Sequence, residues 1–294
     1  MSDRTPAPDL WLPVAREIVA TQVGRATLEV LTSGSAHAVL LVRAASTLHV
    51  LKVASTDARP ALDYGRSAAA QELARRAGVP VGAVVAAGVH GELPGVQFLL
   101  QEQVEGVEWR QVRPLLRPAE LATASGDIAR AVLALQSVVL PSFGALDEPT
   151  PGLVDALRAR IALRIPAGDR RSLATEVLDR HADQFSGPAG PTLAHDDLHH
   201  ANLLFRQGRN GWRLAGVLDW DKAWAGPTES DVARMAFWDD MTDTVFWSVY
   251  RESVPATDGW ALRAMVYQLL WCLEYDVDTA RHRQDMATLV ARLR

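Results

Sequence analysis

Apolar and polar residues alternate most regularly near the start of the chain. Residues 27–32, 38–43 and 47–53 each read as β-strands, punctuated by Gly34 and by the Ala44-Ala45-Ser46 stretch. An amphipathic stretch over residues 9–21 predicts a helix ahead of them. Residues 61–77 are rich in alanine, leucine and arginine and lack an internal proline. They run into Gly78 with Pro80 just beyond, the signature of a helix that ends there. Two more strands, over residues 83–89 and 96–101, flank a turn at residues 91–95. The pattern thus predicts a five-stranded unit carrying one long helix.

Beyond Gly106 the period changes. Helical stretches are predicted at residues 119–140, 153–164 and 171–185, separated by loops rich in proline and glycine. Two short apolar runs, residues 192–194 and 214–218, interrupt them, and each leads directly into polar residues. Loops after buried strands hold side chains rigidly while leaving them accessible, so these are the places to look for chemistry. The best division of the chain falls at residues 102–106, giving segments 1–104 and 105–294. No repeat, heptad run or low-complexity tract interrupts this α+β organisation.

Composition narrows the classes. Of 294 residues, 48% are hydrophobic and 22% charged, proportions of a globular chain with a substantial core. A net charge of −5 gives no electrostatic reason to expect nucleic acid as a partner. The N-terminus has no apolar run of signal-peptide length and no stretch is long enough to span a bilayer, so a cytoplasmic protein without a membrane partner is expected. The single cysteine, Cys272, excludes an intrachain disulfide and reads as a buried structural thiol. Lys52 and Lys222 are the only lysines, which makes each conspicuous. Nothing in the pattern fixes an oligomeric state.

The most informative segment is Leu193-Ala194-His195-Asp196-Asp197-Leu198-His199-His200-Ala201-Asn202-Leu203-Leu204-Phe205, a dense polar loop between apolar flanks. Burying so many polar groups without a purpose would be costly. Phosphoryl transfer needs a carboxylate beside the attacking hydroxyl and oxygen ligands that hold magnesium against a triphosphate. Asp197 and Asn202 supply one of each, and Asp219, at the end of the run Gly216-Val217-Leu218, supplies a second carboxylate, which shares the metal with Asn202. A rival reading takes His195, Asp196, Asp197, His199 and His200 as a metallohydrolase cluster, but only His282 follows as a further histidine. A non-catalytic nucleotide-binding protein is a third reading.

The two stretches together resemble the HGDLHxxN and IDW motifs of aminoglycoside phosphotransferases and choline kinases, distant relatives of protein kinases. The resemblance implies a bilobal protein-kinase-like fold, with an N-terminal five-stranded antiparallel sheet and a mainly helical C-terminal lobe. It also implies an enzyme that moves the γ-phosphoryl group of ATP, or GTP, with Mg2+, to a hydroxyl of a small molecule. On it, Asp197 is the catalytic aspartate, Asn202 and Asp219 the metal ligands and Asp231 a structural aspartate. Lys52, on the third strand, resembles the lysine that contacts the α and β phosphates, with Glu72 as its candidate helix partner, although the family's glutamate aligns nearer Ser67 or Ala68. Gly34 and Ser35 resemble the phosphate-covering hairpin, and the main chain at Glu102 and Val104 the hinge that reads adenine. Asp196 stands where the family has glycine. Asp196, His200, Asp239, Asp240 and Glu274 are candidate contacts to an acceptor, in a region whose carboxylates and aromatic rings suit an amine-bearing antibiotic, amino sugar or amino alcohol.

Overall fold

The computed structural model of the protein describes residues 10–58, 62–91, 93, 95–187, 190–238, 240–275 and 279–294. Helix α1 (Leu12–Gln22) starts with proline in its first turn, where the missing N–H costs nothing, and buries Val14, Ala15, Ile18 and Val19. These side chains pack on one face of a sheet through Leu40, Leu51, Val53 and Leu100. The sheet comprises β1 (Ala26–Ser33), β2 (His37–Ala44), β3 (Thr47–Ser55), β4 (Val84–Val89) and β5 (Val96–Glu102) in the order β1-β2-β3-β5-β4. Every pairing is antiparallel, as the family resemblance implied.

Helix α2 (Tyr64–Arg76) covers the opposite face, with Tyr64 against Ala54 and Leu99. It begins at Asp63, whose carboxylate accepts the Arg66 N–H at 2.9 Å, an N-cap that fixes the start of the helix. It stops where Gly78 takes a left-handed φ of 86°.

The rest is mainly helical. In chain order follow β6 (Val107–Glu108), α3 (Trp109–Val112), α4 (Pro118–Gln136), β7 (Phe143–Ala145), β8 (Glu148–Thr150), α5 (Leu153–Arg164) and α6 (Asp169–Arg180). Next come β9 (Thr192–Ala194), β10 (Leu203–Gly208), β11 (Gly211–Val217), β12 (Trp224–Gly226), α7 (Glu229–Met235), α8 (Thr244–Ser253), α9 (Trp260–Glu274) and α10 (Ala280–Leu293). The short strands form two small sheets, β11-β10-β6 and β8-β7-β12-β9. Ile128, Val132 and Leu135 of α4 pack beneath them with Leu193, Phe205 and Val217, so the polar loops at the strand ends rest on a closed apolar floor. Cys272 is buried within a second core that includes Leu269 and Leu273, and burial pushes its thiol up to about 12. Among the described residues no helix is long and apolar enough to cross a membrane.

Candidate active site

The loop between β9 and β10 is held from below. Asp231, at the start of α7, accepts the backbone N–H of His195 at 2.9 Å and of Asp196 at 2.6 Å. Burial, reinforced by the charge of Asp196, pushes the Asp231 carboxyl up to about 6, while the two backbone donors oppose that shift. Asp196 itself has a left-handed φ of 66°, a conformation that favours glycine and that aspartate tolerates better than most residues.

Past this anchor the loop presents Asp197 and Asn202. The Asn202 carboxamide donates to the Asp197 carbonyl at 2.9 Å, and its backbone carbonyl accepts the Leu218 N–H at 2.9 Å. That second bond continues the β10–β11 ladder and sets Asn202 beside the end of β11, where the chain turns through Asp219 at φ 65°. With its nitrogen committed, the Asn202 amide oxygen accepts no hydrogen bond among the described residues and is available as a hard oxygen ligand.

Lys52 reaches the same point from β3. Its ammonium donates to Asp219 at 2.6 Å and to Asp221 at 2.8 Å. Burial acts to lower the Lys52 pKa, but the two carboxylates more than offset it and hold the group charged. Burial likewise opposes ionisation of Asp219, yet Lys52 beside it holds this carboxyl down at about 2. Asp221 also accepts from Ser67 of α2 at 2.9 Å, and burial raises its pKa above the usual range.

Glu72 does not join this set. Its carboxylate is spent on Arg75 at 2.8 Å and Arg76 at 2.9 Å, neighbours one turn along α2. The helix instead turns Ser67 toward the site, and Asp221 takes the place beside Lys52 that the sequence offered to Glu72.

Asp196 and Glu274 are corrected as acceptor contacts. Asp196 is buried and the Glu274 side chain is only 5% exposed, and both belong to an ion cluster with Arg160, Arg164 and Arg234. Asp196 meets Arg160, Arg164 at 2.6 Å and Arg234 at 2.7 Å, while Glu274 takes Arg160 at 2.7 Å. Burial acts against ionisation of Asp196, but the three guanidinium groups reverse this and hold it far below the usual carboxylate range. The cluster supports the loop from within rather than facing a ligand.

His200 and Asp240 do border open space. They line a cavity of about 470 Å³ with Arg110, Arg113, His199 and Trp238, and Asp240 pairs with Arg113 at 2.8 Å. Asp239 lies outside the described residues. A second cavity of about 280 Å³ opens on Asp197 and is walled by Phe237, Trp238, Trp271 and Tyr275. A third, of about 420 Å³, lies at the far end along Leu48, Gly82, Glu102, Val104 and Ala215. Glu102 uses its N–H on the Ala83 carbonyl at 2.8 Å, whereas the Val104 N–H meets no acceptor among the described residues. Gly34 and Ser35 form the β1–β2 turn, closed by a Gly34 N–H bond to the His37 carbonyl at 2.8 Å and tied to α1 by the Trp11 indole at 3.1 Å.

Four residues that the sequence reading did not assign stand in the site: Ser67, Asp221, Lys222 and Tyr275. Lys222 lies 3.3 Å from the Asp197 carboxylate, and the Tyr275 hydroxyl donates to Asp197 at 3.2 Å. The rarity of lysine in this chain was the available signal for Lys222.

His195 and His199 of the loop are engaged by neighbouring protein groups. His195 bonds the Leu218 carbonyl at 2.9 Å and accepts from Asp197 N–H at 3.2 Å; His199 accepts from Ala201 N–H at 3.2 Å and meets the Asn202 carboxamide at 3.2 Å. No group of three or more histidine, cysteine, aspartate or glutamate side chains among the described residues is arranged to hold a metal, as a metallohydrolase site requires.

The sequence model of the phosphotransferase enzyme family matches residues 27–264. The chain belongs to that family. It is therefore a small-molecule phosphotransferase, and its fold is that of the family's solved members. The aminoglycoside phosphotransferase APH(4)-Ia superimposes with a TM-score of 0.64 at 19% identity, covering 96% of this chain and 97% of that one. A thermostable mutant of it, at 18% identity and a TM-score of 0.64 over 94% of this chain and 95% of that one, was solved with AMP-PNP and hygromycin B. A putative fructosamine-3-kinase from Thermobifida fusca gives a TM-score of 0.66 at 22% identity, over 94% of this chain and 97% of that one. No curated protein sequence matches this phosphotransferase.

Proposed function

We propose that the protein transfers the γ-phosphoryl group of ATP to a hydroxyl of a small molecule, with Asp197 beside the acceptor, Asn202 and Asp219 as magnesium ligands and Lys52 on the phosphates. The observation that carries this reading is the junction of three segments. Lys52 from β3, Asp219 after β11 and Asn202 before β10 meet through the Lys52–Asp219 pair and the backbone bond from Leu218 to Asn202.

The residues fit the ion. A carboxylate held ionised by Lys52 and an unclaimed amide oxygen are hard donors of the kind magnesium takes, alongside phosphate oxygens. When bound, magnesium neutralises charge on the phosphates during transfer. Lys52 supplies a fixed positive charge at the same place. Asp197 orients the acceptor hydroxyl and receives its proton as the new phosphorus–oxygen bond forms and the bond to the leaving diphosphate breaks. Residues 1–104 then carry the nucleotide, with adenine in the cavity beside Val104, and residues 105–294 carry the acceptor.

Of the acceptor, the rings around the cavity on Asp197 favour an alcohol with an amine or a flat apolar body, because aromatic faces hold both. The APH(4)-Ia mutant solved with AMP-PNP and hygromycin B supports a small-molecule acceptor. An acceptor screen read out by nucleoside diphosphate release tests the proposal. Acceptor-dependent, magnesium-dependent release from ATP is the expected result; nucleotide that neither binds nor turns over would refute it.

A further inference from the structure

The turn Asp219-Trp220-Asp221-Lys222 faces two ways. Asp219 and Asp221 grip Lys52, while Lys222 points back to the catalytic loop and lies 3.3 Å from the Asp197 carboxylate. Its ammonium sits 4.2 Å from the centre of the Tyr275 ring, and the Tyr275 hydroxyl donates to the same Asp197. The position is built from behind: Arg164 donates to the Lys222 carbonyl at 2.7 Å while holding Asp196 at 2.6 Å. Beyond the 3.3 Å approach to Asp197 the ammonium meets no acceptor among the described residues, which leaves it donors to offer a ligand.

We propose that Lys222 is a second catalytic lysine, one that contacts the phosphoryl group as it passes from the nucleotide to the acceptor. The proposal rests on the phosphotransfer reading. An anionic Asp197 beside an anionic phosphoryl group repels it, and a lysine between the two cancels that repulsion where charge accumulates. In the step, the acceptor oxygen bonds to phosphorus, the bond from phosphorus to the diphosphate oxygen breaks, and the hydroxyl proton goes to Asp197. Lys222 stays protonated and donates to a non-bridging phosphoryl oxygen. The two lysines divide the work, Lys52 on the departing phosphates and Lys222 on the moving one.

Two readouts test this. In steady-state hydrolysis of Mg-ATP with water as acceptor, Lys222→Met should lower kcat by about 100-fold with KM for Mg-ATP changed less than about twofold, and Lys222→Arg should recover part of the rate. An unchanged kcat, or a loss expressed in KM alone, overturns the role. Because the chain has only two lysines, protein labelled with 13C-lysine gives one ε-methylene signal for each. Mg-AMP-PNP should move both, and Asp197→Asn should move the Lys222 signal in the free protein. If the Lys52 signal responds to Mg-AMP-PNP and the Lys222 signal does not, the Lys222 proposal fails and the phosphotransfer reading stands. If neither responds and Mg-ATP is not turned over, both fall.

Discussion

Asp196 has its side chain taken up by the protein's own arginines. It adopts a left-handed backbone conformation and places a fully buried carboxylate among three arginines. Removing one partner from such a cluster leaves uncompensated buried charge, which costs about 3–5 kcal/mol. Asp196→Ala is accordingly expected to lose about that much unfolding free energy in urea. Asp197→Ala, one residue on, should abolish transfer while the affinity for Mg-nucleotide and the urea midpoint stay near wild type. On α2, Ser67→Ala should weaken nucleotide binding by loosening Asp221, and Glu72→Ala should leave it unchanged, measured by calorimetry. Asp231 adds a dependence on pH. Its carboxyl titrates at about 6 when folded against an ordinary value of 3.8. The folded protein therefore binds the extra proton between those values, and the contribution of this group to stability is full below pH 3.8 and lost as pH rises through about 6. Replacing Asp231 by asparagine should remove that component from the pH profile of urea unfolding.

At the level of elements, the strands of the large sheet were legible because each alternates and each ends at a turn residue. The register that carries Lys52 to the site followed from the same alternation. Helix α5 matched its predicted bounds, and α2 began a few residues later than expected because Asp63 caps it. Strands β6, β7, β8 and β12, two or three residues long, carry too few positions to show a period and owe their existence to tertiary pairing. The loop from His195 to Asn202 was legible as a motif, but its support was not. Arg160 and Arg164 lie on a helix more than thirty residues before Asp196, and charges on a helix ordinarily read as a solvated face. Glu72 failed for a related reason: one helical turn decides whether a side chain meets Lys52 or its own neighbours. The segment linking the large sheet to the helices depends on glycine at two places. A Cβ at Gly82 would come 2.3 Å from the Glu102 carbonyl oxygen, and one at Gly216 would come 2.5 Å from Val104. Gly216→Val should therefore cost about 1–3 kcal/mol of stability through overpacking and weaken ATP binding by displacing Val104, seen together in thermal shift and calorimetry.

Across the whole molecule, the contacts between the N-terminal half and the helical part include the chain around Val104 and the ion pairs of Lys52 with Asp219 and Asp221. Between them lie the cavity beside Val104 and the path to Asp197. In this arrangement a nucleotide would replace part of the contact between the two halves, and the metal would take over one carboxylate that Lys52 now holds. On the proposed function, Asn202 and Asp219 hold magnesium against a nucleotide gripped by Lys52. Calorimetric titration of AMP-PNP into the wild-type protein and into Asp219→Ala, each with excess magnesium and with EDTA, measures it directly. Magnesium should tighten binding to the wild type and have little effect on binding to the variant. Equal tightening in both proteins would contradict it.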